Sequence, residues 1–177
     1  YFTDSAAELA SMYNIGFHTD NHMEAITYDG VDAVVIASST DTHAPFIMDA
    51  AKAGKQIFCE KPIAAELAII DEALEVVKQT GVKLQIGFNR RFDPTFARIK
   101  QAIDEGRIGT PHMLHIMSRD PSPPPVEYIK VSGGLFFDMT IHDFDMARFL
   151  FGDVEEVYAV GKVLVDDAIG DAGDIDT

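Results

Sequence analysis

One set of acids and a histidine stands out for its spacing. Asp138, His142 and Asp145 lie four and three residues apart, so a single helix would place all three on one face. A carboxylate one helical turn from an imidazole can fix the tautomer of the ring and raise its basicity, as a general base requires. Gly133 and Gly134, just upstream, allow a backbone or a ligand to approach closely. The alternative is a solvated polar helix face, which the apolar neighbours of these positions disfavour.

A pair of opposite charges follows the second apolar run of the chain. Glu60 and Lys61 come directly after residues 55–59, and open α/β sheets bind their ligands beyond the carboxyl ends of the strands. Pro62 restricts the backbone of Lys61, and a cis bond between them could aim the ammonium group. A surface salt-bridge turn that starts a helix explains these residues equally well. Cys59 fits a buried apolar residue better than a nucleophile.

The loop after the first apolar run is rich in hydroxyl groups. Ser38, Thr40 and His43 lie there, just before a predicted helix. Their side chains, together with backbone N–H groups at the helix N-terminus, could hold a ribose or a phosphate. The alternative is that Ser, Thr and Asp residues simply cap the helix, and the loop by itself favours that interpretation.

The elements that must position these residues alternate regularly in the first half of the chain. Apolar runs rich in β-branched residues predict strands buried on both faces, at residues 32–37, 55–59 and 82–87. Helical patterns at 44–53 and 65–79 separate the strands. This order predicts βαβ units and an α/β fold with a doubly wound parallel sheet of the Rossmann type, over a first domain at residues 1–88.

The second half loses this alternation. Helical patterns at 93–105 and 138–151 and strand patterns at 111–118 and 154–165 predict an α+β domain with a largely antiparallel sheet, at residues 89–177. The chain opens without Met, is almost at once in a helical pattern, and closes on an acidic run after a strand pattern. We therefore expect a fragment, in which both domains are incomplete.

Composition narrows the classes of function. The 177 residues carry 14 Lys and Arg against 29 Asp and Glu, a net charge of −15, so we expect neither nucleic acid nor a membrane surface as a partner. The apolar runs are too short to cross a bilayer, and a single cysteine excludes an internal disulfide. His112 and His115 would point to opposite faces of a strand. We expect a soluble cytoplasmic protein without a bound metal.

Four segments together resemble the Gfo/Idh/MocA oxidoreductases, which are two-domain NAD(P)-dependent dehydrogenases of sugars and polyols. The segments are 32–43 with Ser-Ser-Thr-Asp-Thr-His, 53–62 with Glu-Lys-Pro, 87–92 with Gly-Phe-Asn-Arg-Arg-Phe, and 133–145 with Asp-x-x-x-His. Glu-Lys-Pro together with Asp-x-x-x-His is highly specific for the family. With the segment at 118–125, Ser-Arg-Asp-Pro-Ser-Pro-Pro-Pro, the chain most resembles the branch that oxidises myo-inositol.

The resemblance implies roles for particular residues. His142 would take the proton of the alcohol, and Lys61 would stabilise the charge that develops on the same oxygen. Asp138 would orient and polarise the reacting groups. The positions that match substrate-binding residues are Asn89, Arg90, Asp120 and Asp145. The positions that match cofactor-side loops are Ser38, Thr40, His43, Glu60, Lys61 and Pro62, with a cis bond expected before Pro62.

The resemblance also implies NAD as the cofactor (with NADP not excluded), a small polyol or sugar as the substrate, and a homo-oligomer, either a dimer or a tetramer. The sequence departs from the family at its ends, because the Gly-x-Gly-x-x-Gly turn and the acid that reads the ribose are missing. We expect the fragment alone to be inactive. Another sugar dehydrogenase of the family and a non-catalytic sugar-binding or regulatory relative are the alternatives.

Overall fold

The first half of the chain is built on a small parallel sheet. The structure, a computed structural model, describes residues 3–177 and divides after Gly87 into two compact units. The strands of the first unit lie in chain order: β1 (Ala33–Ile36), β2 (Gln56–Cys59) and β3 (Leu84–Ile86). Its helices are α1 (Thr3–Met12), α2 (His22–Thr27), α3 (Thr40–Lys52) and α4 (Leu67–Thr80). The predicted βαβ units are confirmed.

The register of the sheet brings the ends of its strands together. Ile36 of β1 pairs with Cys59 of β2, and Cys59 pairs with Ile86 of β3. Both strand pairs are parallel, so the loops that follow the strands leave from one edge of the sheet. This edge is where an open α/β sheet binds its ligand.

Small side chains let the helices pack closely on the sheet. Ala50 and Ala51 of α3 and Ala73 of α4 are fully buried, beside Ile47 of α3. Such burial of apolar surface is the main stabilising contribution in a unit of this size. Helix α4 ends at Gly81, whose φ of +72° is a conformation that glycine adopts without strain.

The regular elements described in the second unit are all helices. Its helices are α5 (Pro94–Asp104), α6 (Val126–Ser132), α7 (Gly134–Asp138), α8 (Ile141–Phe151) and α9 (Asp167–Asp171), with a 3-10 turn at Asn89–Phe92. Asp93 caps α5 by accepting hydrogen bonds from the backbone N–H groups of Thr95 and Phe96. The predicted start of this helix is therefore confirmed.

The strands predicted at residues 111–118 and 154–165 are wrong for this structure, since residues 88–177 as described contain no strand. The antiparallel sheet expected for the second domain is consequently not formed by these residues. A strand needs a neighbour to satisfy its backbone groups, and alternation of apolar residues cannot supply that neighbour. Val157 and Tyr158, for example, are 82% and 91% exposed.

The helix predicted at residues 138–151 is also wrong as one element. Helix α7 ends at Asp138 and α8 begins at Ile141. Between them, the hydroxyl of Thr140 donates to the carbonyl groups of Leu135 and Phe136, which helps to end α7. The spacing predicted that Asp138 and His142 share one continuous helix face, and the break between α7 and α8 shows that they do not.

Among the described residues, each helix is too short or too polar to span a bilayer.

Candidate active site

A buried histidine connects two loops at the polar edge of the sheet. His43, in the first turn of α3, is only 2% exposed. Its Nδ1 lies 2.7 Å from the carbonyl oxygen of Pro62, after β2, and its Nε2 lies 3.1 Å from the carbonyl oxygen of Ser38, after β1. A carbonyl oxygen only accepts hydrogen bonds, so the ring donates to both when it is an imidazolium and to one when it is neutral. The two loops are thereby held in fixed relation to each other.

The hydroxyl groups of the first loop form a short chain. The hydroxyl of Thr42 donates to the carbonyl oxygen of Ser39 at 2.7 Å, so its proton is used there. At 2.5 Å between the two oxygens, the hydroxyl of Ser38 therefore donates to that of Thr42. In this described loop, Ser39 precedes α3 without a side-chain capping bond, so the capping interpretation does not account for it. Thr40 opens the helix and is half-buried.

The loop after β2 carries the predicted charge pair. The bond between Lys61 and Pro62 is cis, as the sequence predicted. Lys61 and Glu60 are half-buried and Pro62 is buried. The Glu60 carboxylate lies against Gly87, so close that a Cβ atom built on Gly87 would be 2.7 Å from a carboxylate oxygen. The Glu60 side chain lies over the end of β3, where glycine leaves it room without any shift of the carboxylate.

Cys59 lies at the end of β2, directly before the charge pair. Its side chain is fully buried. Burial raises the pKa of the thiol to about 12, and the charge of Glu60 adds to the shift. The thiol is therefore protonated at neutral pH, in agreement with its interpretation as a buried apolar residue.

In the second unit, Asp138 and His142 lie on either side of the break between α7 and α8. The hydroxyl of Tyr128, on α6, donates to Oδ1 of Asp138 at 3.0 Å. His142 is half-buried, and its Nδ1 is shielded from solvent. Tyr128 was not among the predicted site residues, because α6 is a single short helix without a periodic apolar pattern.

Two arginines before α5 pair with two acids of α8. Arg91 binds the buried Asp145 in a bidentate manner, with Nε 2.9 Å from one oxygen and Nη2 2.5 Å from the other. Hydrogen bonding to Asp145 raises the pKa of the Arg91 guanidinium above its usual range. The guanidinium also lies over the ring of Phe149, 5.2 Å from its centroid. Asp145, predicted to bind substrate, is therefore bound by the protein itself.

Arg90 makes the neighbouring pair. Its Nη1 lies 2.5 Å from Oδ1 of Asp143, and the hydroxyl of Ser118 donates to the same oxygen at 2.8 Å. Arg90, like Asp145, is thus held by a partner that the sequence did not point to. The other two predicted substrate positions, Asn89 and Asp120, are exposed.

The predicted site residues form two sets, one in each unit. The first set lies at the strand ends of the first unit. The second set lies at the 3-10 turn, in the proline-rich loop and on α7 and α8. Among residues 3–177, no group of three or more His, Cys, Asp or Glu side chains could hold a metal ion.

A parallel βαβ sheet with polar loops at the carboxyl ends of its strands defines the class of the first unit as a nucleotide-binding Rossmann domain. Residues 3–88 match the model of the oxidoreductase family with an NAD-binding Rossmann fold, and residues 96–177 match the GFO/IDH/MocA C-terminal domain. The chain belongs to the Gfo/Idh/MocA oxidoreductase family.

Several of the similar proteins are inositol dehydrogenases. The chain is 55% identical over 161 residues to the myo-inositol 2-dehydrogenase of Thermotoga maritima, covering 90% of this chain and 48% of that protein. It is 54% identical over 177 residues to the inositol 2-dehydrogenase of Rhizobium meliloti, covering 99% and 53%. The crystal structure of scyllo-inositol dehydrogenase from Lactobacillus casei with bound NAD(H) and scyllo-inositol superposes with a TM-score of 0.78 at 32% identity, covering 96% and 53%. The chain spans about half the length of these relatives.

Proposed function

We propose that the whole protein (these 177 residues with any further sequence that its gene encodes) is an NAD-dependent dehydrogenase that oxidises a secondary alcohol of an inositol to a ketone. The observation that carries the proposal is the presence of Lys61, Asp138 and His142 in a chain that is 54–55% identical to inositol 2-dehydrogenases. Binding of a sugar alone does not require an ammonium group, a carboxylate and an imidazole in these positions.

His142 is the proposed general base. Because its Nδ1 is shielded from solvent, we assign acceptance of the hydroxyl proton to Nε2. As that proton leaves, the C–H bond breaks, its electron pair departs with the hydrogen as hydride, and a C=O bond forms. NAD, when bound, accepts the hydride. The ammonium group of Lys61 donates a hydrogen bond to the reacting oxygen and stabilises its negative charge.

The first unit is suited to the polar parts of a dinucleotide. The N-terminus of α3 offers backbone N–H groups next to the hydroxyl groups of Ser38 and Thr40. Glu60 and Pro62 lie on the adjacent loop at the same sheet edge, and His43 fixes the spacing of the two loops. We assign NAD rather than NADP because the family model is NAD-binding and the Lactobacillus casei relative carries NAD(H).

We further propose that the protein works in the cytoplasm as a homo-oligomer. The homo-oligomer is supported by the segment at 154–165, where Val157, Tyr158 and Val160 are 82%, 91% and 70% exposed. Large apolar side chains grouped on a surface favour burial against another surface.

The proposal is tested by following the formation of NADH or NADPH at 340 nm by the whole protein, with myo-inositol, scyllo-inositol and glucose as separate substrates, each with NAD and with NADP. We expect turnover of the inositols with NAD. Turnover of glucose alone would replace the substrate class, and a preference for NADP would overturn the cofactor assignment. Binding of inositol without any turnover would favour a non-catalytic sugar-binding protein.

A further inference from the structure

Helix α7, which ends at the proposed catalytic Asp138, is short and is held from outside. It has five residues, and a helix of this length has little stability of its own. At its start, the backbone N–H of Leu135 donates to both carboxylate oxygens of Asp174, at 2.9 and 3.1 Å. The orientation of Asp138 at the other end therefore depends on tertiary contacts.

Tyr128 supplies such a contact. Helix α6, which carries it, and helix α7 meet at Gly133 and Gly134, whose φ values of +86° and +74° turn the chain back sharply. This turn lets the hydroxyl of Tyr128 reach Oδ1 of Asp138 across ten residues of sequence, at 3.0 Å. Because glycine adopts a positive φ without strain, the backbone at these two residues brings the helices together in addition to the contact between their side chains.

The direction of this hydrogen bond is fixed by chemistry. A carboxylate only accepts hydrogen bonds, so the phenol donates. Tyr128 is 46% exposed, and its partial desolvation raises the pKa of the phenol, as do the hydrogen bond and the charge of Asp138. Tyr128 consequently keeps its proton at neutral pH, when the proposed reaction runs.

We infer that Tyr128 is a positioning residue for the dehydrogenase, which holds the Asp138 carboxylate in the orientation that its catalytic role requires. The kinetic part of this inference rests on the proposed function. The geometric part, that Tyr128 and Asp138 are coupled, does not depend on it.

The test is a double-mutant cycle in the whole protein, with Tyr128→Phe, Asp138→Asn and the two combined. Tyr128→Phe removes one oxygen atom and keeps the ring, so folding is little perturbed. We expect it to lower kcat about tenfold, in line with the loss of one hydrogen bond to a charged group, with the KM for NAD unchanged. In the Asp138→Asn background the same change should lower kcat no further. Tyr13→Phe, at a 68% exposed tyrosine, is the matched control.

An equal loss of kcat in both backgrounds, or no loss in either, would overturn the inference. A parallel readout is the ultraviolet titration of Tyr128 near 295 nm, isolated as the difference between the unmodified protein and Tyr128→Phe. We expect a midpoint above 10 that Asp138→Asn lowers. If the unmodified protein turns over no inositol, the proposed function fails, and the titration decides whether Tyr128 holds Asp138: a midpoint unaffected by Asp138→Asn refutes it.

Discussion

The imidazole of His43 joins the loops that follow β1 and β2, with Nδ1 2.7 Å from the carbonyl oxygen of Pro62 and Nε2 3.1 Å from that of Ser38. Each of these loops carries residues proposed to bind the cofactor, and the second also carries Lys61. His43 is buried, so its contribution is to the geometry of the edge. Because the His43 side chain contacts both loops, its loss should disturb the positions of both.

Replacing His43 by Phe should lower the free energy of unfolding by about 1–3 kcal/mol. The phenyl ring fills the same space but cannot donate, so at least one carbonyl oxygen loses its hydrogen bond, and a buried unsatisfied group costs about 1–3 kcal/mol. Urea denaturation followed by circular dichroism measures the change. His18→Phe, at an exposed histidine, is the matched control and should change stability by about 0.5 kcal/mol or less. Equal losses in the two variants would contradict the role of His43.

Cys59 should be unreactive in the folded protein. Its thiol has a pKa raised from 9.0 to about 12, by burial first and by Glu60 second. A thiol reagent at pH 8 should therefore label it only after urea is added, because the thiolate is the nucleophile. Fast labelling of the native protein would refute the assigned burial.

The same shift predicts how Cys59 contributes to stability at high pH. Its pKa is higher in the folded than in the unfolded state, so its contribution is fully present below pH 9 and is lost as the pH rises through about 12. Cys59→Ala should flatten this part of the stability curve. An unchanged slope between pH 9 and 12 in that variant would contradict the assignment.

The pair of Arg91 and Asp145 should stabilise the second unit. Arg91→Met keeps most of the apolar length of the side chain but leaves a buried carboxylate without its bidentate partner. We expect the free energy of unfolding to fall by about 2–3 kcal/mol. Arg148→Met is the control, because Arg148 and its partner Asp153 are both exposed and surface ion pairs contribute about 1 kcal/mol or less. A loss as small as that of the control would show that Asp145 finds another donor.

The hydrogen bonds from the backbone of residues 164–166 to the Asp176 carboxylate should weaken as the pH falls. Its carboxylate accepts backbone hydrogen bonds from Asp166, Leu164 and Val165, which lower its pKa from 3.8 to about 2. The lowered pKa means that the interaction is present above pH 3.8 and is lost as the pH falls towards 2.

Amide chemical shifts of Leu164 and Val165 should therefore titrate with a midpoint near 2, and Asp176→Asn should abolish that titration. A midpoint near 3.8 would show that the backbone hydrogen bonds do not form in solution.

The sequence was most informative where local pattern and tertiary structure agree. The strands β1 to β3 were predicted because their β-branched apolar runs are short and bounded by loop residues. The cis bond at Pro62 was expected from the family resemblance and is confirmed. The role of His43 was not foreseen, since its contact with Pro62, 19 residues away, depends on the parallel pairing of β1 and β2.

The second unit was harder to predict. The break between α7 and α8 occurs at Met139 and Thr140, neither of which ends helices as glycine or proline does. The ion pairs of Arg90 and Arg91 with residues more than fifty positions away depend on the packing of α8 and leave no local signal. In the segments at 111–118 and 154–165, apolar and polar residues alternate as they do in strands. This alternation shows a preference for extended structure, and it does not show that a neighbouring strand is present to pair with.

The central claim, that His142 is the base for oxidation of an inositol, is tested most directly by His142→Ala in the whole protein. We expect kcat with myo-inositol and NAD to fall by about 10²–10⁴-fold, while the Kd of NAD, measured by binding, stays the same. His18→Ala should leave both values unchanged. If His142→Ala keeps kcat within about threefold of the unmodified protein, instead of losing the expected factor, His142 is not the base.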